Sequence, residues 1–298
     1  MSDNLLRAQV AACTLLLNDL KIMGYSGHVS ARIPGRDAYL IQGFDQPRSG
    51  LRPEHLLICD YDGKMLSGPP GQRPPAEVFL HGEILRARPD INSVAHFHHD
   101  ITNVFTLVEG VELLPLKNHA VRWVSGMPVH DDPSHVASSE LGRAVAKTLG
   151  PHHALQIRAH GQVVCAESVP AVLVDAVHFV ENGEAMYNAA SIGKVRPLSD
   201  SDMASFLRDF KRVPHVKKLW KYYVEGGKNS GLIPADWELG VENAGHCSSL
   251  ARLRERVACG AGRVRELAHR APSSVSLRLT PSPASGRRDN LSQNGRPT

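Results

Sequence analysis

The sequence predicts a mixed α/β fold, with helices packed against an antiparallel or mixed sheet. Three observations carry this. Stretches with apolar residues at helical spacing open the chain and recur along it. Between them lie short runs that alternate apolar and polar residues, the period of a strand. Turn residues such as Asp62-Gly63 separate neighbouring runs at hairpin distance.

The first helix is expected over residues 3–23, where Leu6, Val10, Cys13, Leu17 and Leu20 recur at helical spacing and Gly24 supplies the stop. Strands follow at 27–33, 39–42 and 55–60, with Asp62-Gly63 turning into 64–66. A stiff proline-rich loop, 68–75, ends at Pro75, whose missing N–H suits the start of a helix reaching Arg88 and stopped by Pro89. Glu77 and His81, four apart, share a face near its beginning. A short strand then carries Val94, His96 and His98. Residues 101–108 read as a short helix, 113–129 as a mixed segment and 138–149 as a helix. Strands 154–157 and 162–165 pair across the His160-Gly161 turn. Ser168 caps a long helix to residue 190, with Pro170 in its first turn. A polar helix over 199–223 closes the ordered part, and no internal repeat is visible.

With 298 residues, 42% of them hydrophobic, the chain can bury a sizeable core, while 5% aromatics leave the packing to aliphatic side chains. Five cysteines form no Cys-x-x-Cys pair and are odd in number, which fits reduced thiols better than a disulfide scaffold or zinc ribbon. No secretory leader opens the chain and no apolar run nears membrane-spanning length, so a soluble cytoplasmic protein is expected. The net charge of +4 is uneven: the segment from Gly240 onward holds ten Arg, no Lys and four acidic residues, leaving the rest near −2. A nucleic-acid role for the folded part therefore has no support. A folded domain over 1–238 and a disordered Arg/Ser/Pro/Gly-rich tail over 239–298 are expected, the latter having little to bury.

The chemistry concentrates in Ala95-His96-Phe97-His98-His99-Asp100. Residues two apart on a strand share a face, so His96 and His98 aim their imidazoles at one point. Two neutral imidazoles converging with a carboxylate make a divalent-metal arrangement. Ordinary polar residues at a strand end are the competing reading. Asp100 and His99 are placed to orient ligands or to cap the next helix.

Several separated motifs together resemble the class II aldolase/adducin family over about residues 5–237. They are Gly27-His28-Val29-Ser30-Ala31-Arg32, Glu77 with His81-Gly82-Glu83-Ile84, Ala87-Arg88-Pro89-Asp90, His96-Phe97-His98 and Ala159-His160-Gly161. The resemblance implies a three-layer α/β/α sandwich around a mostly antiparallel sheet. It implies one divalent ion per subunit (Zn, Mn, Fe or Co) on His96, His98 and His160, with Glu77 as a further ligand and general acid/base. It also implies a homotetramer with interfacial active sites, cleaving a carbon–carbon bond through an enolate-like species that the metal stabilises.

Departures from the sugar-phosphate branch bear on the substrate. That branch carries Gly-Asn-x-Ser/Thr in the first loop and a Ser-Ser pair before the glutamate. Here His28 replaces the asparagine and Pro75-Ala76 the pair, so the phosphate cradle is dismantled. The Gly-His-Val-Ser-Ala-Arg version resembles instead a branch that decarboxylates hydroxylated aromatic acids, such as 3,4-dihydroxyphthalate. On this reading His28 and Ser30 face the substrate. Arg32 and Arg48 are candidates for a second carboxylate, with a structural ion pair as their competing role. His119 is a candidate to protonate the ring or touch the carboxylate, against an interface or core position; Tyr187 is a candidate against simple helix packing. An aldolase acting on a small hydroxy-keto acid or sugar acid is the alternative enzyme, and a metal-free adducin-like interaction module the alternative of another class.

Overall fold

A computed structural model describes residues 2–240. Helix α1 (Asp3–Asp19) precedes strands β1 (His28–Arg32), β2 (Ala38–Gln42), β3 (Leu56–Asp60) and β4 (Met65–Ser67). Then come α2 (Val78–Ala87), β5 (Ser93–Phe97), α3 (Asp100–Val104), β6 (Val129–His130), α4 (Ser139–Leu149), β7 (Ala154–Ile157) and β8 (Gly161–Ala166). Three helices, α5 (Val169–Ile192), α6 (Asp200–Asp209) and α7 (Arg212–Asn229), complete the described residues.

The strands form one sheet in the order β4-β3-β2-β1-β5-β8-β7-β6. Every neighbouring pair is antiparallel except β6 with β7. Strand alternation divides the core in two. Ala31, Ala95, Phe97 and Val164 pack on one face with residues of α1, α5 and α7. Tyr39, Leu57, Val94 and Cys165 pack on the other with α2 and α4. Helices thus cover both faces, the expected α/β/α sandwich, and strands such as Leu56-Leu57-Ile58-Cys59 are apolar throughout because both sides are buried. Among the described residues no helix is long and apolar enough to cross a membrane.

Two expected helices differ. The first stops at Asp19 instead of continuing to residue 23. Lys21 takes a left-handed conformation (φ 61°), and Asn18 Nδ2 donates to the carbonyls of Met23 (2.9 Å) and Gly24 (3.2 Å). The polar helix expected over 199–223 is two helices broken at Phe210-Lys211. A continuous helix would drive the Pro214 ring into the Phe210 carbonyl, whereas Pro214 in the first turn of a new helix loses no bond. The break lets Arg212 reach back to the start of α5. It binds Glu167 (Nε to Oε1, 2.6 Å) and Asp175 (Nη1 to Oδ1, 2.9 Å), and Arg122 Nε adds a bond to Asp175 at 2.9 Å.

Of the residues the sequence places at the start of the tail, Leu239 packs into the core and Gly240 is tied to it through its carbonyl. Trp220 Nε1 donates to the Leu239 carbonyl (2.9 Å) and Gln9 Nε2 to that of Gly240 (2.7 Å). The rest of the expected tail lies outside the described residues.

Candidate metal centre

Adjacent strands β1, β5 and β8 bring the candidate ligands together. Their registers set His28 opposite His96 and His96 opposite Val163, so both histidines face the α2 side. His98 lies just past the end of β5 and keeps the period-two direction. His160 closes the three-residue turn between β7 and β8. Its neighbour Ala159 has φ 55°, unusual for a residue with a Cβ, and donates its N–H to Thr106 Oγ1 at 3.1 Å. Gly161 is required by close approach: a Cβ there would lie 2.5 Å from His98 Cδ2, 2.6 Å from the Phe97 oxygen and 3.2 Å from His96 Cε1.

Glu77 is not inside a helix begun by Pro75. It occupies the N-cap position of α2 (φ −93°, ψ 20°), after a turn in which Val78 N–H donates to the Pro75 carbonyl at 3.1 Å. The helix N-terminus favours its negative charge. The carboxylate is buried, with Oε2 3.2 Å from His96 Nε2 and Oε1 3.2 Å from His160 Nε2; Val136 N–H donates to Oε1 at 3.3 Å. The His98 ring completes the group, its centroid 4.7 Å from that of His96 and 5.1 Å from that of His160. One donor atom each from Glu77, His96, His98 and His160 fall within 4.8 Å of one another.

Protonation shows what this group lacks. His96 Nδ1 lies 2.9 Å from the Gln162 carbonyl, which can only accept, so Nδ1 carries a proton and Nε2 is the atom left to face Glu77. A contact of 3.2 Å between Nε2 and the carboxylate needs positive charge between them, either a proton or a metal ion. The Nε2 atoms of His96 and His160 are indeed buried without hydrogen-bond partners. Around a tetrahedral ion held at about 2.0–2.1 Å, ligand atoms sit about 3.3 Å apart, close to the spacing found here. The residues fit a divalent metal. Burial, reinforced by His96 and His160, pushes His98 down to about 3, leaving a neutral donor. Burial alone would raise Glu77, but the facing His160 and His96 outweigh it and hold the carboxyl well below its usual range. His160 shows the converse: burial lowers it, Glu77 more than compensates, and its pKa is raised. Proton and metal therefore compete for one place.

His28 stacks on His96 (centroids 6.1 Å apart) and meets His81 edge-on at 5.7 Å. Ser30 Oγ lies 2.7 Å from His81 Nδ1, while His28 Nδ1 and His81 Nε2 are buried without partners. Burial, then the charges of His81 and His96, lower His28 well below its ordinary value. Arg48 sits beside this group, its Nε on the Gly27 carbonyl (3.0 Å) and Nη1 on that of Gln46 (3.1 Å).

Three expected substrate or catalytic residues are placed elsewhere. Arg32 shares the face of His28 and Ser30 but lies at the far end of β1. Its guanidinium is spent on Tyr61 Oη and on the carbonyls of Leu85, Arg88 and Ile91, closing the C-terminus of α2. His119 lies on the α5 side of the sheet, stacked on His178 with centroids 4.0 Å apart. Tyr187 is 46% exposed on α5. Conversely, His135 was not anticipated: its Nδ1 lies 3.7 Å from Glu77 Oε1, on a side chain 81% exposed at the mouth of the site. It sits in an irregular loop, where no periodicity betrays a direction. His99 caps α3, its ring accepting from Thr102 N–H at 3.4 Å.

Comparison with known proteins places this geometry in context. Residues 8–187 match the family described as Class II Aldolase and Adducin N-terminal domain. A 3,4-dihydroxyphthalate decarboxylase of Arthrobacter keyseri is 28% identical over 225 residues, covering 71% of this chain and 89% of the relative. A protein of the same name from Rhodococcus jostii (strain RHA1) is 28% identical over 216 residues, covering 67% and 86%. Among solved structures, an aldolase II superfamily protein from Pseudomonas syringae superposes with a TM-score of 0.69 at 21% identity, covering 78% of this chain and 96% of that one.

Proposed function

The chain belongs to the family of the class II aldolase and adducin N-terminal domain, and on that premise we propose a divalent-metal-dependent, non-oxidative decarboxylase. Its substrate is an ortho-hydroxylated aromatic carboxylate of the 3,4-dihydroxyphthalate type. The observation that carries the reading is the Glu77 carboxylate set between the Nε2 atoms of His96 and His160, with His98 beside them. The 3,4-dihydroxyphthalate decarboxylases among the relatives support the substrate class, as does His28 where the sugar-phosphate branch has asparagine.

When bound, the metal supplies a Lewis acid that anchors adjacent substrate oxygens and stabilises the electron-rich carbon left by departing CO2. His96, His98 and His160 would hold it, and the Gln162 carbonyl keeps a proton on His96 Nδ1 so that Nε2 would face the ion. Glu77, ionised in the resting site, takes the phenolic proton as substrate binds and returns it to the ring carbon once CO2 has left. The unpartnered Nδ1 of His28 faces the substrate hydroxyl, and Arg48 is the cation for the second carboxylate. The same reading includes a cytoplasmic homotetramer with active sites at subunit interfaces, checked by light scattering on the purified protein.

The test incubates metal-loaded protein (Zn2+, Mn2+, Fe2+ or Co2+) with 3,4-dihydroxyphthalate and follows CO2 and 3,4-dihydroxybenzoate. Both products are expected with at least one metal. No release with any metal refutes the substrate; an aldehyde trapped from a hydroxy-keto acid instead makes the protein an aldolase.

A further inference from the structure

A second group of histidines, which the first centre does not use, meets on the opposite face of the sheet. His119 comes from the 3-10 turn Asn118–Trp123, His178 and Glu181 from α5 three residues apart, and His215 from the first turn of α7. Residues three apart on a helix share a face, so His178 and Glu181 point together. His119 Nε2 lies 3.5 Å from Glu181 Oε2. The His119 and His178 rings stack at 4.0 Å, and the His215 centroid is 5.3 Å from that of His178. One donor atom each from His119, His178 and Glu181 fall within 4.8 Å of one another.

The Nε2 atoms of both His119 and His215 are buried with no hydrogen-bond partner, an arrangement that costs free energy unless something binds them. A cavity of about 670 Å3, lined in part by Asn118, Phe206, Phe210 and His215, opens on the His215 side of the group. Lys117 Nζ lies 3.3 Å from Glu181 Oε2 and supplies positive charge where an ion would sit. That side chain is 42% exposed and free to swing away.

We propose that His119, His178 and Glu181, with His215 as a fourth donor, form a second divalent-cation site of the zinc class. Imidazole and carboxylate donors suit Zn2+, Co2+ or Ni2+. Tetrahedral ligand atoms lie about 3.3 Å apart, so the 3.5 Å pair already fits, and the half-exposed Glu181 side chain can turn its carboxylate toward His178. Its role is structural. The connection between α3 and β6 is long and carries only the 3-10 turn, and an ion on His119 staples it to α5 and α7.

The experiment titrates chelator-stripped, tag-free protein with Zn2+ and, in parallel, with Co2+, whose visible bands report tetrahedral coordination. Two equivalents per chain are expected, the second raising the thermal midpoint. Glu181→Gln and His178→Gln should each lose one equivalent and keep the other. Lys117→Gln should bind the second equivalent at least threefold more tightly, a gain that general damage does not produce. His96→Gln distinguishes the two centres, since it should lose the other equivalent and keep this one. A single equivalent in the parent protein that survives Glu181→Gln overturns the proposal, as does an unchanged second equivalent in both Glu181→Gln and His178→Gln.

Discussion

Replacing Gly161 by alanine tests the metal centre through packing alone, without deleting a ligand. The added Cβ would stand 2.5 Å from His98 Cδ2 and 2.6 Å from the Phe97 carbonyl oxygen. Carbon atoms pack at about 3.5–4.0 Å, so the His98 ring must retreat by about 1 Å. The Phe97 oxygen belongs to β5 and cannot yield without loosening the β5–β8 ladder. A retreat of about 1 Å is half a metal–nitrogen bond, enough to take His98 out of coordination. Zinc affinity should fall about 10–100-fold, the range seen when the support of a ligand is removed. The crowding itself should cost about 1–3 kcal/mol of stability. Competition with a chromophoric chelator reads the first quantity, and thermal unfolding of the metal-free protein reads the second. If stability drops while zinc affinity stays within twofold of the parent, Gly161 serves packing only and His98 is not a ligand.

Glu77→Gln should lower the rate of product formation about 10²–10⁴-fold at saturating metal, since an amide cannot carry the proton; a rate within threefold of the parent removes Glu77 from the chemistry. Arg212→Ala leaves Asp175 buried without its main partner and should cost about 3–5 kcal/mol, or roughly 10 °C in thermal midpoint; a loss below 2 °C would show the network to be dispensable. His153 is buried, and burial with the nearby Arg122 and Arg88 holds its pKa well below the usual value. Below about pH 6.5 the unfolded chain therefore takes up a proton that the folded chain refuses, and stability falls as pH drops. Midpoints measured from pH 7.5 to 5 should decline, and His153→Gln should flatten that leg by up to about 1.4 kcal/mol per pH unit; equal slopes refute the assignment.

Much of this was readable before the fold was known, where direction follows from local geometry. His96 and His98 share a face because strand side chains alternate, and Ser168 announces its helix as a capping residue. What depends on tertiary approach was not readable. Arg32 and Arg48 look equivalent in sequence, yet the end of α2 packs over the far end of β1 and takes the Arg32 guanidinium. The break before α7 hides in an unbroken polar pattern, because Pro214 sits where a first turn tolerates it. His119 is 59 positions from His178, and only the stacking of the 3-10 turn on α5 joins them.

The ion network at the start of α5 sets how the protein can be divided. The family match ends at residue 187, and a fragment cut there would keep every candidate ligand of the first centre. It would also keep Glu167 and Asp175 while discarding Arg212, which binds both. The buried Asp175 and the largely buried Glu167 would be left with Arg122, and the apolar face that α7 covers would open to water. A fragment that keeps this network must reach past Arg212, and the bonds from Gln9 and Trp220 to the Gly240 and Leu239 carbonyls carry the contacts on to residue 240.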